Sequence, residues 1–364
     1  PQTLPKVFHP YFSAQHIAEP SFFVFDYTVG MSLLYTGIDE AGYGPMLGPL
    51  CVGRASLKVE GWEPVGDDGE ATRVPDVWGL LSSVVARTRK EAKGRITVAD
   101  SKKLKLASSS VRNHPLVHLE RGVLAMLGTM EGCEVPATDL ELFELLGVEV
   151  EDQPWFGGGA IELPVGNEIG MLKIDSNGLR AAMHKAGVSV VDLKVHAMGV
   201  GDFNAVVRAH GTKAATTAQL LLEHLRATKV DESCEDIGAD YSRVVIDRQS
   251  GRTHYHKLLS RVWDGLETLE ESARASRYSG GRGQDQLGVL LVSKADDAYF
   301  PVSLASMAAK YVRELMMARF NRYWSAKLPG LKPTAGYVQD ARRWLVDAEG
   351  VLGDGDREAL VRIA

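Results

Sequence analysis

Apolar runs that stop abruptly at acids are the dominant pattern along this chain. Leu33-Leu34-Tyr35-Thr36-Gly37-Ile38 is continuous enough for a buried strand, and it ends in Asp39-Glu40. Arg243-Val244-Val245-Ile246 ends in Asp247 in the same way. Leu287-Gly288-Val289-Leu290-Leu291-Val292 leads through Ser293-Lys294-Ala295 to Asp296 and Asp297. A β-rich run over residues 94–99 precedes Asp100, and residues 50–59 and 188–195 read as further strands. Apolar spacing predicts helices over residues 77–92, 116–130, 179–186, 203–228, 302–322, 338–347 and 357–363. Glycine-rich loops are expected at 66–70, 157–159 and 280–283. Strands that alternate with helices predict an α/β fold, a mixed sheet flanked by helices.

The acids change this from a fold to a candidate chemistry. A buried strand end cannot hold two neighbouring carboxylates cheaply, because unpaired buried charge is costly. A hard divalent cation offsets that cost by taking the carboxylate oxygens as ligands. The glycines of Gly42-Tyr43-Gly44 allow a sharp turn or a close backbone approach to a ligand. Any one strand-end acid reads equally well as a solvated group or a helix cap. Three apolar strands that each end in Asp bring Asp39, Glu40, Asp247 and Asp296 to one sheet edge, which is a far more specific constellation. Asp297 is a possible substitute for Asp296. Phosphate contacts are expected from Ser303 or Ser306 at a helix start, where free N–H groups and the helix dipole favour anions. A plain hydroxyl cap is the equal alternative there. Lys310 and Arg313 lie three apart on one helical face and read as phosphate cations, as do Lys102 and Lys103, which follow Ser101 in a loop. His254-Tyr255-His256 either lines the cleft or opens a solvated helix.

Composition narrows the setting. At 364 residues the chain is long for a single sheet-centred catalytic unit and suggests an insertion. No apolar run reaches the roughly 18 residues of a membrane span. Three scattered cysteines, Cys51, Cys133 and Cys234, form neither a disulfide framework nor a zinc pattern, which fits a reducing cytoplasm. The net charge of −6 does not advertise a nucleic-acid binder, so local basic stretches matter more than the total. Residues 1–30 lack any helical or alternating period and any signal-peptide pattern. They read as a disordered upstream extension ahead of Met31.

Four blocks now stand in order: Gly37-Ile38-Asp39-Glu40-Ala41-Gly42 with Gly44-Pro45, Asp100-Ser101-Lys102-Lys103-Leu104, Ile246-Asp247, and Lys294-Ala295-Asp296 with Ser303-Leu304-Ala305-Ser306 and Ala309-Lys310. Pro333-Thr334-Ala335 is a weaker fifth. In these blocks the chain resembles the prokaryotic type 2 ribonuclease H family, ribonucleases HII and HIII. The resemblance implies a ribonuclease H-like mixed sheet over residues 31–330, with an inserted segment at 131–187 and a C-terminal helical segment at 331–364. It implies two divalent ions, Mg²⁺ or Mn²⁺, held by Asp39, Glu40, Asp247 and Asp296, with Asp39 bridging, Glu40 and Asp247 on one ion and Asp296 on the other. It implies cleavage of the RNA strand in RNA–DNA hybrids, with substrate contacts from Gly42, Tyr43, Gly44, Ser101, Lys102, Ser303, Lys310 and Arg313. A monomer without membrane association is expected.

Three departures put substrate recognition in doubt. The ribonuclease HII branch has arginine where this chain has Tyr43. Arg248-Gln249-Ser250 follows Asp247, where the family has glycine. Lys332 stands where a substrate-sensing tyrosine is expected. Two other classes remain as alternatives: a nucleic-acid binder of this fold without chemistry, and an ATP-using enzyme of the actin and sugar-kinase fold. The latter needs a second glycine-rich phosphate loop, and Asp247-Arg248-Gln249 is not one.

Overall fold

The structure is a computed structural model, and it describes residues 30–63, 72–107, 110, 112–228, 237–249, 251–280 and 286–363. The expected extension before residue 30, the 66–70 loop, Cys234, Ser250 and the glycines at 281 and 283 lie outside the described residues.

The strands are β1 (Leu33–Ala41), β2 (Leu50–Val59), β3 (Val85–Ala86), β4 (Ile96–Thr97), β5 (Val188–Met198), β6 (Tyr241–Asp247), β7 (Glu267–Glu271), β8 (Ser276–Gly280) and β9 (Leu287–Val292). Seven of them form one mixed sheet in the order β5-β2-β1-β6-β9-β8-β7, and β3 pairs with β4 alone. The centre, β1-β6-β9, is parallel, and both flanks are antiparallel. This explains the continuous apolar runs, because a parallel centre is covered on both faces and has no polar side to alternate with. One face carries Leu33, Tyr35 and Val245 into a core with the long helix Phe300–Lys327. The other carries Leu34, Ile38, Val244 and Ile246 into a second core under the helices Val200–His210 and Ala214–Arg226.

The long helix is buried over most of its length, and its first turns press directly on the sheet. Gly37 and Gly53 make this possible. A Cβ on Gly37 would stand 2.1 Å from the backbone nitrogen of Val302, and one on Gly53 would stand 2.3 Å from the Ala305 carbonyl oxygen. Ser303, Ala305, Ser306, Ala308 and Ala309 keep the helix surface low enough to approach.

Several expectations change. Residues 77–92 form two single-turn helices, Val77–Leu80 and Arg89–Ala92, separated by β3. Val85 and Ala86 pair with β4, and that pairing overrides the helical spacing. The helix expected over 179–186 is the end of a longer one, Ile169–Lys185. The stretch 203–228 breaks into two helices at Gly211, whose backbone is left-handed at φ 69°. The last helix runs Asp356–Leu360, shorter than expected. The strands β7 and β8 escape the sequence reading, because β7 (Glu267, Thr268, Leu269, Glu270, Glu271) is an exposed edge with charges where a buried strand would have apolar residues.

Residues 131–187 are no appendage. Asp139 in the helix Asp139–Leu146 is wholly buried and pairs with Arg319 of the long helix. Trp155 stacks on Trp324 at 6.0 Å. Carbonyls of the 157–159 glycine loop accept from Arg319 and Arg322. No helix among the described residues is long and apolar enough to cross a membrane.

Candidate active site

Strand register brings the acids together. In the parallel pair β1-β6, Ile38 lies opposite Ile246, so Asp39 and Asp247 follow at the same level and leave the sheet at one edge. Asp247 also lies opposite Val292 of β9, and Asp296 follows in the short turn Ala295–Ala298. Strand alternation turns Asp39 toward the long helix, on the face of Tyr35 and Gly37, and Glu40 toward the opposite face with Ile38. Both acids still feel Asp247 and Asp296.

Each carboxylate is held by local donors. The backbone N–H of Glu40 donates to Asp39 Oδ1 at 2.7 Å, and that of Ala295 to Asp247 Oδ1 at 2.8 Å. Ser303 donates its hydroxyl to the Asp296 carbonyl, so it caps the Asp296 turn. The Ser306 hydroxyl lies in hydrogen-bonding reach of Asp39 and 3.0 Å from that of Ser101. Ser101 is therefore buried in the seam between its loop and the long helix.

The electrostatics are those of crowded like charges. Burial, to 7% exposure, then Glu40 and Asp247, push the Asp39 carboxyl well above the usual carboxylate range against the opposing hydrogen bond of Ser306. Burial, then Asp247, raise Glu40 to about 7. Burial raises Asp247 against the Ala295 N–H and Lys102, which favour its charged form. Burial, then Asp100, then Asp247, raise Asp296 to about 7. Desolvation pulls Lys102 down, but Asp100, Asp39, Asp296 and Asp247 outweigh it and hold the ammonium charged. One exposed lysine, Lys102, thus faces these four carboxylates, and its exposed neighbour Lys103 also feels Asp100 and Asp296.

The donor set fits hard cations: oxygen ligands only, excess negative charge, and no paired guanidinium among them. Among the described residues, no three of these groups stand in a closed coordination shell. Burial first, and the neighbouring acids after it, favour the protonated forms of Asp39, Glu40, Asp247 and Asp296.

Asp100 is the residue the sequence reading passed over. It caps the turn Ser101–Leu104 by accepting from the Lys102 N–H at 2.8 Å, and it hydrogen-bonds Asp296. Its signal was present, since it opens the second block.

The glycine turn is built from beneath. Gly42 is left-handed at φ 89°, and a Cβ there would strike Arg313 and the Pro49 carbonyl. Arg313 was expected on phosphates. It is instead wholly buried and donates to the carbonyls of Leu47 (3.2 Å) and Ala335 (3.1 Å), supporting the turn. Lys310 is likewise buried and pairs with Glu314 at 2.8 Å, which Lys105 also contacts at 2.7 Å. The helical spacing placed both on one face correctly, but that face points inward. Arg362, unremarked in sequence, donates to the carbonyls of Gly42 (2.6 Å), Pro45 (3.4 Å) and Gly48. Its burial and the neighbouring Arg313 depress it to about 9. Gly44 is open to solvent, and Tyr43 is half-buried with Lys213 Nζ 4.8 Å over its ring. Lys213 therefore puts a cation beside the position where the arginine was missed. Tyr337, half-exposed, lies one residue beyond Gly336, whose carbonyl accepts from Met46 (2.8 Å) and Leu47 (3.1 Å) in the same turn.

Tyr255 of the His254-Tyr255-His256 run is fully buried; its hydroxyl accepts from the Gln249 N–H at 3.2 Å, and its own N–H donates to Glu271 (3.0 Å) and to the Tyr278 hydroxyl (2.9 Å). His254 and His256 lie on its solvent side. The run braces the loop after Asp247.

No protein-family profile matches the chain, and no curated protein does. Among solved structures the chain is similar to a mutant of Bst-RNase HIII, at 17% identity and a TM-score of 0.43, over 92% of this chain and 67% of that one. It is also similar to the ribonuclease HII of Archaeoglobus fulgidus, solved with PCNA, at 16% and 0.38 over 91% and 94%. A third is the ribonuclease H2 of Pyrococcus horikoshii, at 16% and 0.39 over 91% and 92%. At TM-scores of this size the likenesses bear no weight, and the carboxylate constellation stands on its own geometry.

Proposed function

We propose that this protein is a metal-dependent endonuclease that hydrolyses the RNA strand of RNA–DNA hybrids by a two-metal mechanism, as a divergent member of the type 2 ribonuclease H family. The observation that carries the reading is the convergence of Asp39, Glu40, Asp247 and Asp296 from three parallel strands onto one sheet edge, with their protons held above the ordinary range. Structural acids at strand ends find a cation each or solvent; these crowd together and share Lys102.

In this reading Asp39, Glu40, Asp247 and Asp296 would together hold two divalent ions, Mg²⁺ or Mn²⁺. Such ions supply an activated water and stabilise the leaving oxygen. The chain's own groups do the rest. The open backbone at Gly44 and the ring of Tyr43 meet the strand to be cut, and Lys102 offers its charged ammonium to a phosphate. Ser303, by capping the Asp296 turn, and Ser101 with Ser306 fix the positions of Asp296 and Asp39. Arg313 and Arg362 keep the glycine turn in shape. A monomer in the reducing cytoplasm is part of this proposal.

A labelled RNA–DNA duplex incubated with Mg²⁺ or Mn²⁺ tests the reading. Cleavage of the RNA strand that stops with EDTA is expected. Binding of the duplex without cleavage in either ion would favour a catalytically silent binder. A polyanion binder gains nothing from four clustered carboxylates, which is why that reading stands second. Nucleotide hydrolysis without strand cleavage would point to the kinase-like class.

A further inference from the structure

A basic cleft lies beside the carboxylates and outside the site just described. The helix Ala214–Arg226 buries Leu220, Leu221 and Leu225 and turns Ala215, Ala218, Gln219 and Arg226 toward this cleft. Arg252, Leu258 and Arg261 form the opposite wall, and His210 and Thr212 also line it. Its volume is about 530 Å³. Ala215 and Ala218 leave the floor low, so the space stays open.

Charge makes the cleft selective. Among the described residues, the side chains of Arg226, Arg252 and Arg261 form no ion pair with any carboxylate. Among the described residues the one acid on the wall is Glu223, which lies 3.2 Å from His196 and accepts from Gln219 at 3.3 Å. Three guanidiniums therefore face one engaged carboxylate, in a chain whose net charge is −6. Guanidinium forks match phosphate oxygens geometrically and are only weakly hydrated, so they bind phosphodiesters well.

Position gives the cleft its meaning. Arg252 is five residues past Asp247, and its guanidinium stands 5.5 Å over the ring of Tyr255, which is close enough to Glu40 to feel its charge. At the other side Thr212 adjoins Lys213, whose ammonium covers Tyr43. One wall of the cleft thus touches Tyr255 through Arg252, and the other adjoins Lys213 next to Thr212.

We infer that this cleft binds the sugar-phosphate backbone of a nucleic-acid strand away from the cleaved bond, through Arg226 and Arg261 with Arg252 at the inner end. The inference rests on the proposed nuclease reading, because a polyanion must lie across the carboxylates for the cleft to extend its track. It assigns phosphate binding to the helix Ala214–Arg226 and the segment after β6, which no sequence block marked.

The test uses the full chain and a fluorescein-labelled RNA–DNA duplex, titrated by anisotropy in EDTA so that no cleavage occurs. The double variant Arg226→Gln/Arg261→Gln is expected to weaken binding about tenfold and to flatten the slope of log affinity against log salt by roughly 2, as two lost phosphate contacts require. Arg226→Lys/Arg261→Lys should recover most of the slope, since it keeps the charge. Both arginines are exposed, so the melting temperature should not move. Unchanged affinity and slope in the glutamine variant would overturn the inference, as would failure of the wild type to bind the duplex. Loss of binding in the variant, with no cleavage by the wild type in Mg²⁺ or Mn²⁺, would uphold the cleft and overturn the nuclease reading alone.

Discussion

Asp39 carries a heavy electrostatic load at the residue scale, since burial and three neighbouring acids, Glu40, Asp247 and Asp296, all oppose its charge. Replacing it with asparagine removes one charge and keeps the shape. Asp39→Asn is expected to lower the cleavage rate by on the order of 10³-fold, the scale of losing a preorganised transition-state charge. Its melting temperature without metal should rise, because the remaining acids are less crowded. Full activity in this variant would end the two-metal reading. A pH dependence follows from the same crowding. Glu40 and Asp296 are raised to about 7, so the folded chain keeps protons that the unfolded chain has already released. These two groups therefore contribute a stability that is full in acid, falls as pH rises through the ordinary carboxylate range, and is lost above about 7, which shows as the difference between the wild type and Glu40→Gln. Melting temperatures of the two taken across that window in EDTA check this, and a difference that moves in favour of the wild type as pH rises would contradict it. Added Mn²⁺ should reverse the fall at neutral pH. Specificity is also a matter of single residues. Tyr43 stacks but cannot offer forked hydrogen bonds to phosphate, and Lys213 supplies only a point charge beside it. A preference for runs of ribonucleotides over a single embedded one is expected, read as kcat/KM on the two duplexes. Equal rates on the single site would show that the backbone of residues 42–44, with Lys213, suffices.

Elements meet most closely where the long helix crosses β1 and β2. A methyl group on Gly37 has no room, because the atom it meets is the backbone of Val302 rather than a side chain that can turn away. Gly37→Ala should destabilise the fold by about 1–3 kcal/mol, as overpacking of a tight core does. It should also lower activity, because the shift moves Asp39, two residues on, relative to Asp296. Gly44→Ala is the control, since nothing lies within 4 Å of that position. Denaturant midpoints separate the two, and equal midpoints would mean that the helix yields more easily than its burial suggests. At this scale the sequence was readable where one force dominated. Apolar continuity marked β1, β6 and β9, and 3.6-residue spacing marked the long helix. It failed at residues 77–92, where pairing of β3 with β4 outweighed local spacing. It failed again at β7, an edge strand with little apolar surface to bury.

On the scale of the whole molecule the C-terminal segment packs back on the 42–48 turn after the first strand. Arg362 returns from the C-terminal end to bind three carbonyls of the 42–48 turn, and its N–H donates to Met46 at 3.0 Å. Arg362→Ala leaves those buried carbonyls short of a donor, at a cost of about 3 kcal/mol. Cleavage should fall with it, since Gly42 to Gly44 lose their support. An unchanged melting temperature would show that water replaces the guanidinium without loss. The long helix does comparable work further along, where Arg319 pairs with Asp139 and Trp324 stacks on Trp155. These contacts bind residues 131–187 into the common core, so that stretch is expected to be indispensable for folding.

The sequence by itself determined the central strands, the long helix and four of the acids, because each depends on local patterning: apolar runs for burial, and Asp at the point where a run must end. It also named the second block, though Asp100 within it went unread. Only the tertiary structure decided that Arg313 and Lys310 face inward. Helical spacing gives a face, but not what covers it, and both faces of this helix are covered. Lys213, Arg362 and the arginine cleft were equally beyond sequence, since they reach the site through chain reversals of many residues. Register did the rest: it set Asp39 level with Asp247, and so turned separate strand ends into one crowded site.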